Sequence, residues 1–234
     1  MRELLGFDLE TTDTDPHTAR PVSFAFVRTA ADQVLFAQRE LVDPGIKIPR
    51  GASAVHGITN RVIKEQGGWV LDDAVTEIRT TLLASATGGV PVVGMNIAYD
   101  LTIVDTLARK MDGTGLVESG WGGPVVDVLV IDRALDTYRK GRRTLAALAE
   151  TYEVPITTSH DAYADAVASV EVFRAIVRRF PEAFEDLDAA QLHRAQVRWH
   201  REWADGYSAW LVSQGRRPLA DAQFEWPLVA PGVV

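Results

Sequence analysis

Two carboxylic acids, Asp8 and Glu10, stand two residues apart at the end of a short apolar segment, residues 4–9. Successive side chains of a β-strand point to opposite faces, so a strand here would place both carboxylates on the same face. Two acids at the end of a buried strand are costly unless a cation lies between them, which suggests half of a metal site. By itself, the pair is also explained by a strand end whose acids are merely solvated.

Asp100 is a third candidate for the same site. It lies in the first turn of a predicted helix that follows an apolar segment, residues 90–95. The end of a strand beside the start of a helix is where an α/β sheet opens its crevice. Taken alone, Asp100 is equally well explained as an acid that complements the dipole at a helix N-terminus.

His160 and Asp165 are the last pair of candidates. Five residues of a helix turn through about 500°, so on one helix these two side chains would not share a face. We therefore expect His160 in a loop, with Asp161 as the N-cap of the following helix and Asp165 on that helix, close to its hydrophobic side. A histidine in a loop is usually a polar surface residue, and what distinguishes this one is the neighbouring carboxylate.

The elements that must position these residues follow from the apolar pattern. The opening strand and two further strands, residues 21–28 and 33–42, predict an antiparallel meander. Later strands are predicted at residues 90–95 and 125–130, and helices at residues 71–84, 97–109, 131–138, 144–152, 162–180 and 185–214. This order predicts an α/β domain with a mixed five-stranded sheet flanked by helices. We expect this domain to span residues 1–181, with residues 182–234 as a C-terminal helix and irregular tail packed on it.

Composition limits the classes of function. The chain of 234 residues has no cysteine, which excludes disulfides, thiolate metal sites and thiol nucleophiles. Its net charge of −8 argues against a general polyanion-binding surface, but bound divalent cations can reverse the local field and admit nucleic acid as a substrate. No segment has the length of a membrane span and the N-terminus enters a strand directly, so we expect a soluble, cytoplasmic protein without a membrane partner.

Three segments together resemble the exonuclease motifs of the DnaQ-like family, in its DEDDh branch of 3′–5′ exonucleases with a ribonuclease H-like fold. This family includes the proofreading epsilon subunit of bacterial DNA polymerase III. The resemblance covers about residues 3–180 and departs from the family where Met95 replaces a frequent histidine and Tyr99 a frequent phenylalanine. The segments are Phe7-Asp8-Leu9-Glu10-Thr11-Thr12, Asn96-x-x-x-Asp100 and His160-x-Ala162-x-x-Asp165-Ala166, with weaker likenesses at residues 54–59 and 126–129.

The resemblance implies a site and a reaction. Asp8 would bridge two ions, Glu10, Asp100 and Asp165 would complete their ligand shells, and His160 would act as general base. Oxygen-only ligands favour Mg²⁺ or Mn²⁺, and two such ions can clamp an in-line phosphoryl displacement. The expected activity is 3′–5′ exonuclease cleavage that releases nucleoside 5′-monophosphates from single-stranded or frayed DNA, in proofreading or repair. The expected substrate-binding residues are Leu9 and Thr11 for the terminal sugar, and Val55, His56, Asn96 and Tyr99 for its base.

Two alternatives remain open at this stage. The same chemistry could act on RNA, because discrimination rests on contact to the 2′-hydroxyl. The chain could also be a binding module that no longer cleaves, attached to a polymerase or a sliding clamp. The presence of all four acids and the histidine counts against that second alternative.

Two surface features have more than one interpretation. Four aromatic residues spaced four, four and three apart, Trp199, Trp203, Tyr207 and Trp210, favour a helix packed on its own domain, with a partner surface or homodimer contact as the alternative. The segment 223–228 weakly resembles a clamp-binding peptide. The basic residues Arg139, Lys140, Arg142 and Arg143 could steer phosphates or simply be solvated.

Overall fold

The computed structural model describes residues 2–31, 33–156 and 161–229. A mixed sheet of six strands forms its centre, in the order β4-β3-β2-β1-β5-β6. The strands are β1 (Glu3–Thr11), β2 (Pro21–Ala30), β3 (Gln33–Asp43), β4 (Trp69–Val70), β5 (Val92–Gly94) and β6 (Val125–Asp127).

The pairing directions bring three strand ends to one edge of the sheet. β1, β2 and β3 form the predicted antiparallel meander, whereas β5 pairs parallel with both β1 and β6. The carboxyl ends of β1, β5 and β6 therefore meet at the same edge. In an α/β sheet, this edge is where a crevice for a ligand opens.

The predicted mixed sheet is confirmed, but the predicted number of five strands is wrong. The sixth strand, β4, has only two residues and pairs parallel with β3 through Val42 and Asp43. Gly68 permits this pairing, because a Cβ there would lie 2.9 Å from the backbone nitrogen of Asp43. So short a strand lacks the alternating pattern that reveals a longer one.

Helices cover both faces of the sheet. Val75, Ile78 and Leu101 pack on the face that carries Phe7 and Phe26, and Phe173 and Ile176 belong to a second apolar cluster with Leu4. The helices are α1 (Arg50–His56), α2 (Asn60–Gln66), α3 (Leu71–Thr87), α4 (Ala98–Asp112), α5 (Val128–Leu135), α6 (Leu145–Thr151), α7 (Ala162–Arg179) and α8 (Ala189–Ser213).

Capping side chains explain where two predicted elements were misplaced. The strand predicted at residues 125–130 ends at Asp127, because the Asp127 carboxylate accepts from the backbone N–H of Leu129 and starts α5 there. The helix predicted at residues 185–214 begins at Ala189, because Asp188 and Gln191 form a capping box. A 3₁₀ turn, Pro181–Ala183, precedes it.

The aromatic residues of α8 divide into two groups. Trp199 packs against both apolar clusters, which is the predicted packing role. Trp203, Tyr207 and Trp210 instead stack on one another, with ring centroids 5.3 and 5.6 Å apart, and Arg133 lies over the Trp203 ring. Within the described ranges, no helix combines the length and apolar character needed to cross a membrane.

Candidate functional site

Gly6 lets α7 approach the face of β1 on which the even-numbered side chains lie. A Cβ at Gly6 would stand 2.7 Å from the Ala166 carbonyl oxygen and 3.0 Å from Cγ2 of Val170. A side chain at this position would hold α7 away from the strand. Asp8 and Glu10 follow on the same face by strand alternation, so the close approach brings Asp165 of α7 toward them.

The structure brings Asp8, Glu10 and Asp165 together as one acidic cluster. One carboxylate oxygen of each lies within 4.8 Å of those of the other two. Residues more than 150 positions apart in the chain thus present their carboxylates at the same strand end. Three oxygen ligands at this separation can surround a hard divalent cation.

Asp100 lies beside the acidic cluster and is tied to β1. Its Oδ1 accepts a hydrogen bond of 3.1 Å from the backbone N–H of Leu9. β5 pairs with β1 only at Leu5 and Gly6, so the N–H of Leu9 lies beyond the end of β5. The carboxylate of Asp100 takes the place of the missing strand carbonyl, and this fixes the first turn of α4 at the site.

The electrostatics of the cluster favour a bound cation. Burial, followed by the charges of Asp100, Asp165, Glu10 and Asp161, raises the pKa of Asp8 well above its ordinary value. Burial and the charges of Asp165 and Asp161 raise the pKa of Glu10 to about 7. Within the described ranges, neither Asp8 nor Glu10 forms an ion pair with a lysine or arginine. A divalent cation would relieve this repulsion.

Asp161 caps α7 as the sequence predicts. Its Oδ1 accepts hydrogen bonds from the backbone N–H groups of Tyr163 and Ala164. Its Oδ2 forms an ion pair with Arg39 of β3, a contact between distant segments that no sequence pattern predicts. His160, the predicted general base, lies outside the described residues.

All six predicted substrate-binding residues line one cavity of about 620 Å³, which we call the tyrosine cavity. It is bounded by the end of β1, by α1 and by the start of α4, and it borders the acidic cluster through Glu10. The six residues are Leu9, Thr11, Val55, His56, Asn96 and Tyr99.

Individual contacts refine what these six side chains offer. The hydroxyls of Thr11 and Tyr99 are 2.7 Å apart, and burial is the main cause that raises the pKa of Tyr99 to about 12. Val55 is 56% exposed, so it is not a core residue. His56 accepts a hydrogen bond at Nδ1 from the backbone N–H of Ile58, as a turn histidine would. Leu9 donates its N–H to Asp100 and its side chain belongs to the apolar core, so this N–H is already used within the protein.

A buried network behind Asn96 was not foreseen from the sequence. Asn96 has a left-handed backbone (φ 57°), and its N–H donates to Oδ1 of Asp127 at 2.9 Å. Asp127 also accepts from Nε1 of Trp226 at 3.3 Å, and its own N–H donates to Gln196. The resemblance around residues 126–129 was the one signal that pointed to Asp127. Trp226 is only 8% exposed, so the segment that resembles a clamp-binding peptide packs its largest side chain into the protein.

The dense basic run does not act as a unit. Arg139 and Arg143 form ion pairs with Asp132, which is fully buried, while Lys140 and Arg142 are exposed. Arg139 and Arg143 therefore neither steer phosphates nor simply face solvent, which were the two interpretations from the sequence. They neutralise the buried carboxylate of Asp132.

Fold and site together define a class of protein: a ribonuclease H-like sheet that gathers carboxylates from three distant segments at one strand edge. The family model described as "Exonuclease" matches residues 5–173. The chain belongs to this exonuclease family, which is divalent-metal dependent. The resemblance stated from the motifs is thereby confirmed.

Relatives share part of their length with this chain. It is 26% identical over 180 residues to the PolC-type DNA polymerase III of Caldanaerobacter subterraneus subsp. tengcongensis, covering 77% of this chain and 12% of that protein. It is 28% identical over 176 residues to the DNA polymerase III subunit epsilon-like protein of Rhodobacter capsulatus, covering 71% of this chain and 22% of that protein. The chain therefore spans less than a quarter of these relatives.

Solved structures with the same fold are exonuclease I proteins. E. coli exonuclease I in complex with a dT13 oligonucleotide superposes with a TM-score of 0.62 at 21% identity, covering 79% of this chain and 43% of that one. Exonuclease I from Methylocaldum szegediense gives a TM-score of 0.61 at 23% identity, covering 78% and 42%. At these identities the similarity shows the fold.

Proposed function

We propose that this protein is a 3′–5′ exonuclease that releases nucleoside 5′-monophosphates from single-stranded or frayed DNA 3′ ends. The observation that carries the proposal is the convergence of Asp8, Glu10 and Asp165 within 4.8 Å of one another. Membership of the exonuclease family supports it, as does the cavity beside the cluster. The chemistry of the cluster fits two Mg²⁺ or Mn²⁺ ions, because it offers only carboxylate oxygens and its acids repel one another.

Each acid has a distinct part in holding the ions. Asp8 is central in the cluster, since burial and the charges of Asp100, Asp165, Glu10 and Asp161 all raise its pKa, and it would be the main ligand of the ions. Glu10, Asp100 and Asp165 would be the other ligands. Bound ions would stabilise the charge that develops on the attacking and leaving oxygens of the phosphodiester.

His160 is assigned the role of general base. A neutral imidazole can accept the proton of the attacking water near neutral pH. In the sequence His160 directly precedes Asp161, the N-cap of the helix that carries Asp165. This sequence proximity to the cluster supports the assignment.

The tyrosine cavity is assigned to the 3′-terminal nucleoside. Val55 and the Tyr99 ring offer apolar surface for a base, and the Thr11 hydroxyl lies near the sugar position expected from the resemblance. Stacking of an unpaired base on such side chains contributes on the order of 1–3 kcal/mol and tolerates any sequence. Such a pocket favours a single-stranded or frayed end.

Digestion of 5′-labelled oligonucleotides tests the proposal. Single-stranded DNA, a mismatched primer end, a matched primer end and RNA are incubated side by side with Mg²⁺, with Mn²⁺ or with EDTA. We expect a ladder shortened one nucleotide at a time from the 3′ end of single-stranded DNA, faster at mismatched than at matched ends, and no product in EDTA. Faster cleavage of RNA would move the assignment to a ribonuclease. Binding without cleavage under every metal condition would support the non-cleaving module.

A proofreading role and a polymerase partner are proposed on the curated relatives alone, which are named as DNA polymerase III proteins. We also propose a domain boundary between residues 181 and 182, a cytoplasmic location, and a homodimer contact through α8.

A further inference from the structure

A second cavity, of about 900 Å³, lies on the other side of the acidic cluster. We call it the arginine cavity, after Arg39 of β3. It is walled by β3, by the segment that leads into β4 and by the start of α7 at Asp161 and Ala162. It shares Glu10 and His56 with the tyrosine cavity, so the two cavities meet beside the acidic cluster.

The position of the two cavities determines the path of a bound strand. If the terminal nucleoside occupies the tyrosine cavity, its phosphate lies at the acidic cluster. The strand must then continue past Glu10, and the space that opens there is the arginine cavity. The next nucleotide in the 5′ direction would therefore enter it.

Arg39 is the single lysine or arginine among the described residues that line this cavity. Its side chain is 61% exposed and forms an ion pair with Asp161, whose other oxygen caps α7. An exposed ion pair of this kind contributes little to stability, so a phosphate oxygen can replace Asp161 as the partner of Arg39. Arg39 can therefore bind a phosphodiester while Asp161 continues to cap α7 through its other oxygen.

Trp69 also lines this cavity, but its ring belongs to the other face of the sheet. Trp69 pairs in register with the core residue Val42, and its ring packs edge-on against Phe24 at a centroid distance of 6.1 Å. Arg39 pairs through Ala25 with Asp8, so its side chain lies on the face that carries the acidic cluster. Arg39 is therefore the residue that can meet a bound strand on this face.

We propose that Arg39 forms a binding subsite for the nucleotide on the 5′ side of the scissile bond, in which its guanidinium binds the phosphate at the 5′ end of that nucleotide. This subsite rests on the proposed function, since it uses the strand direction that exonuclease cleavage from a 3′ end requires. With this subsite, the enzyme would bind the nucleotide next to the one that it removes.

Two substrates separate the subsite from the catalytic centre. The p-nitrophenyl ester of thymidine 5′-monophosphate places thymidine in the tyrosine cavity and its phosphorus at the acidic cluster. Its leaving group takes the place of the next nucleoside but carries no further phosphate for Arg39, and water attack at the phosphorus releases p-nitrophenolate and thymidine 5′-monophosphate. A single-stranded oligothymidylate supplies that further phosphate. Steady-state kcat and KM are measured for both substrates with Arg39→Gln.

We expect Arg39→Gln to raise KM for the oligonucleotide roughly tenfold, as for loss of one charge-assisted contact, and to leave hydrolysis of the ester unchanged. Arg28→Gln is the matched control, because Arg28 is also in an exposed ion pair but with Glu3, at the far end of β1 from Glu10.

Each outcome is informative. An unchanged oligonucleotide KM in Arg39→Gln overturns the subsite while the proposed function stands. A loss of ester hydrolysis equal to the loss on the oligonucleotide also overturns it, since Arg39 would then act by positioning the start of α7 through Asp161. If the wild-type protein cleaves neither substrate with Mg²⁺ or Mn²⁺, the proposed function itself fails.

Discussion

The acidic cluster and the surroundings of Asp132 show two ways in which this protein keeps carboxylates away from water. Asp132 is fully buried, and the chain supplies its counter-charge through Arg139 and Arg143 and a hydrogen bond of 2.8 Å from Tyr152. Glu10 is almost as inaccessible, at 8% exposed, yet its described neighbours are further acids.

This difference separates a structural acid from a functional one. A buried carboxylate needs compensation, and at Asp132 the compensation is part of the fold. At the acidic cluster, no described lysine or arginine pairs with Asp8 or Glu10, and burial and neighbouring acids raise the pKa of both. This is what we expect of a site whose counter-charge is an external cation. Removing an acid should therefore have opposite effects at the two places: loss of activity at one, loss of stability at the other.

The largest effect is expected for Asp8→Ala. If Asp8 is a ligand of the ions, as proposed, its loss should reduce cleavage by roughly 10³-fold or more, because several kcal/mol of transition-state stabilisation would depend on the ions. The melting temperature in EDTA should stay the same or rise, since one of the repelling acids is gone. Asp205→Ala, at an exposed position of α8, is the control and should leave the rate unchanged. Retention of more than a tenth of wild-type activity would contradict the assignment.

His160→Ala tests the proton acceptor that the cluster requires. The rate should fall by roughly 10²–10⁴-fold, as for loss of a general base, with a much smaller change in binding. Single-turnover rates measured from pH 5 to pH 9 should also lose the dependence on an ionisation near neutral pH. His17→Ala serves as a second histidine variant. Full activity of the His160 variant at pH 7 would show that another group is the base.

Asp132→Asn addresses the structural side of the comparison. Removing this charge leaves two partly buried arginines without their shared partner, and loss of one member of a buried pair costs about 3–5 kcal/mol of unfolding free energy. Urea denaturation measures this loss, and the variant that remains folded should keep its cleavage rate. Asp136→Asn is the control, since Asp136 is a more exposed partner of Arg139 and should cost less. Equal losses for the two variants would contradict a special role of burial at Asp132.

Gly6→Ala should combine the two effects, since we expect it to reduce both the stability and the activity of the protein. The added Cβ would meet the backbone of Ala166, and overpacking of this kind costs about 1–3 kcal/mol. Moving α7 away from β1 would also separate Asp165 from Asp8, which isothermal titration with Mn²⁺ would detect as weaker binding. Gly206→Ala on α8, where a Cβ meets no neighbouring atom within 4 Å, should not destabilise the protein. Unchanged Mn²⁺ affinity in the Gly6 variant would contradict the role of close approach.

The smallest effect is the pH dependence of stability without metal. The folded protein binds a proton on Glu10 more tightly than the unfolded chain does, since the pKa rises from 4.5 to about 7. This stabilisation is fully present at low pH and is lost as pH rises through that range. In EDTA, the melting temperature of the wild type relative to Glu10→Gln should therefore fall between pH 5 and pH 8.

Added Mg²⁺ should reverse this trend, because it binds the ionised carboxylates. Glu118→Gln is a control of opposite sign, since Arg109 holds the pKa of Glu118 below its ordinary value and that contribution is lost as pH falls. A wild-type stability that rises with pH relative to Glu10→Gln would contradict the raised pKa.

Local rules were sufficient to predict much of this site. Strand alternation places Asp8 and Glu10 on one face, and a short polar side chain at residue 161 starts the helix that carries Asp165. Both rules act over a few residues, so they can be read from the sequence without knowing what lies opposite. The family motifs indicated which of these residues belong together, and all six residues expected to bind substrate are among those that line the tyrosine cavity.

Tertiary structure alone decided the contacts between distant elements. The fit of Gly6 under α7, the edge strand that carries Trp69, the ion pair between Arg39 and Asp161, and the support of Asn96 by Asp127 and Trp226 each join residues that no local pattern relates. These contacts depend on which faces of the sheet and helices meet and on the volumes between them. The sequence thus determined which groups can do the chemistry, and the packing of the sheet against its helices determined that they do so in one place.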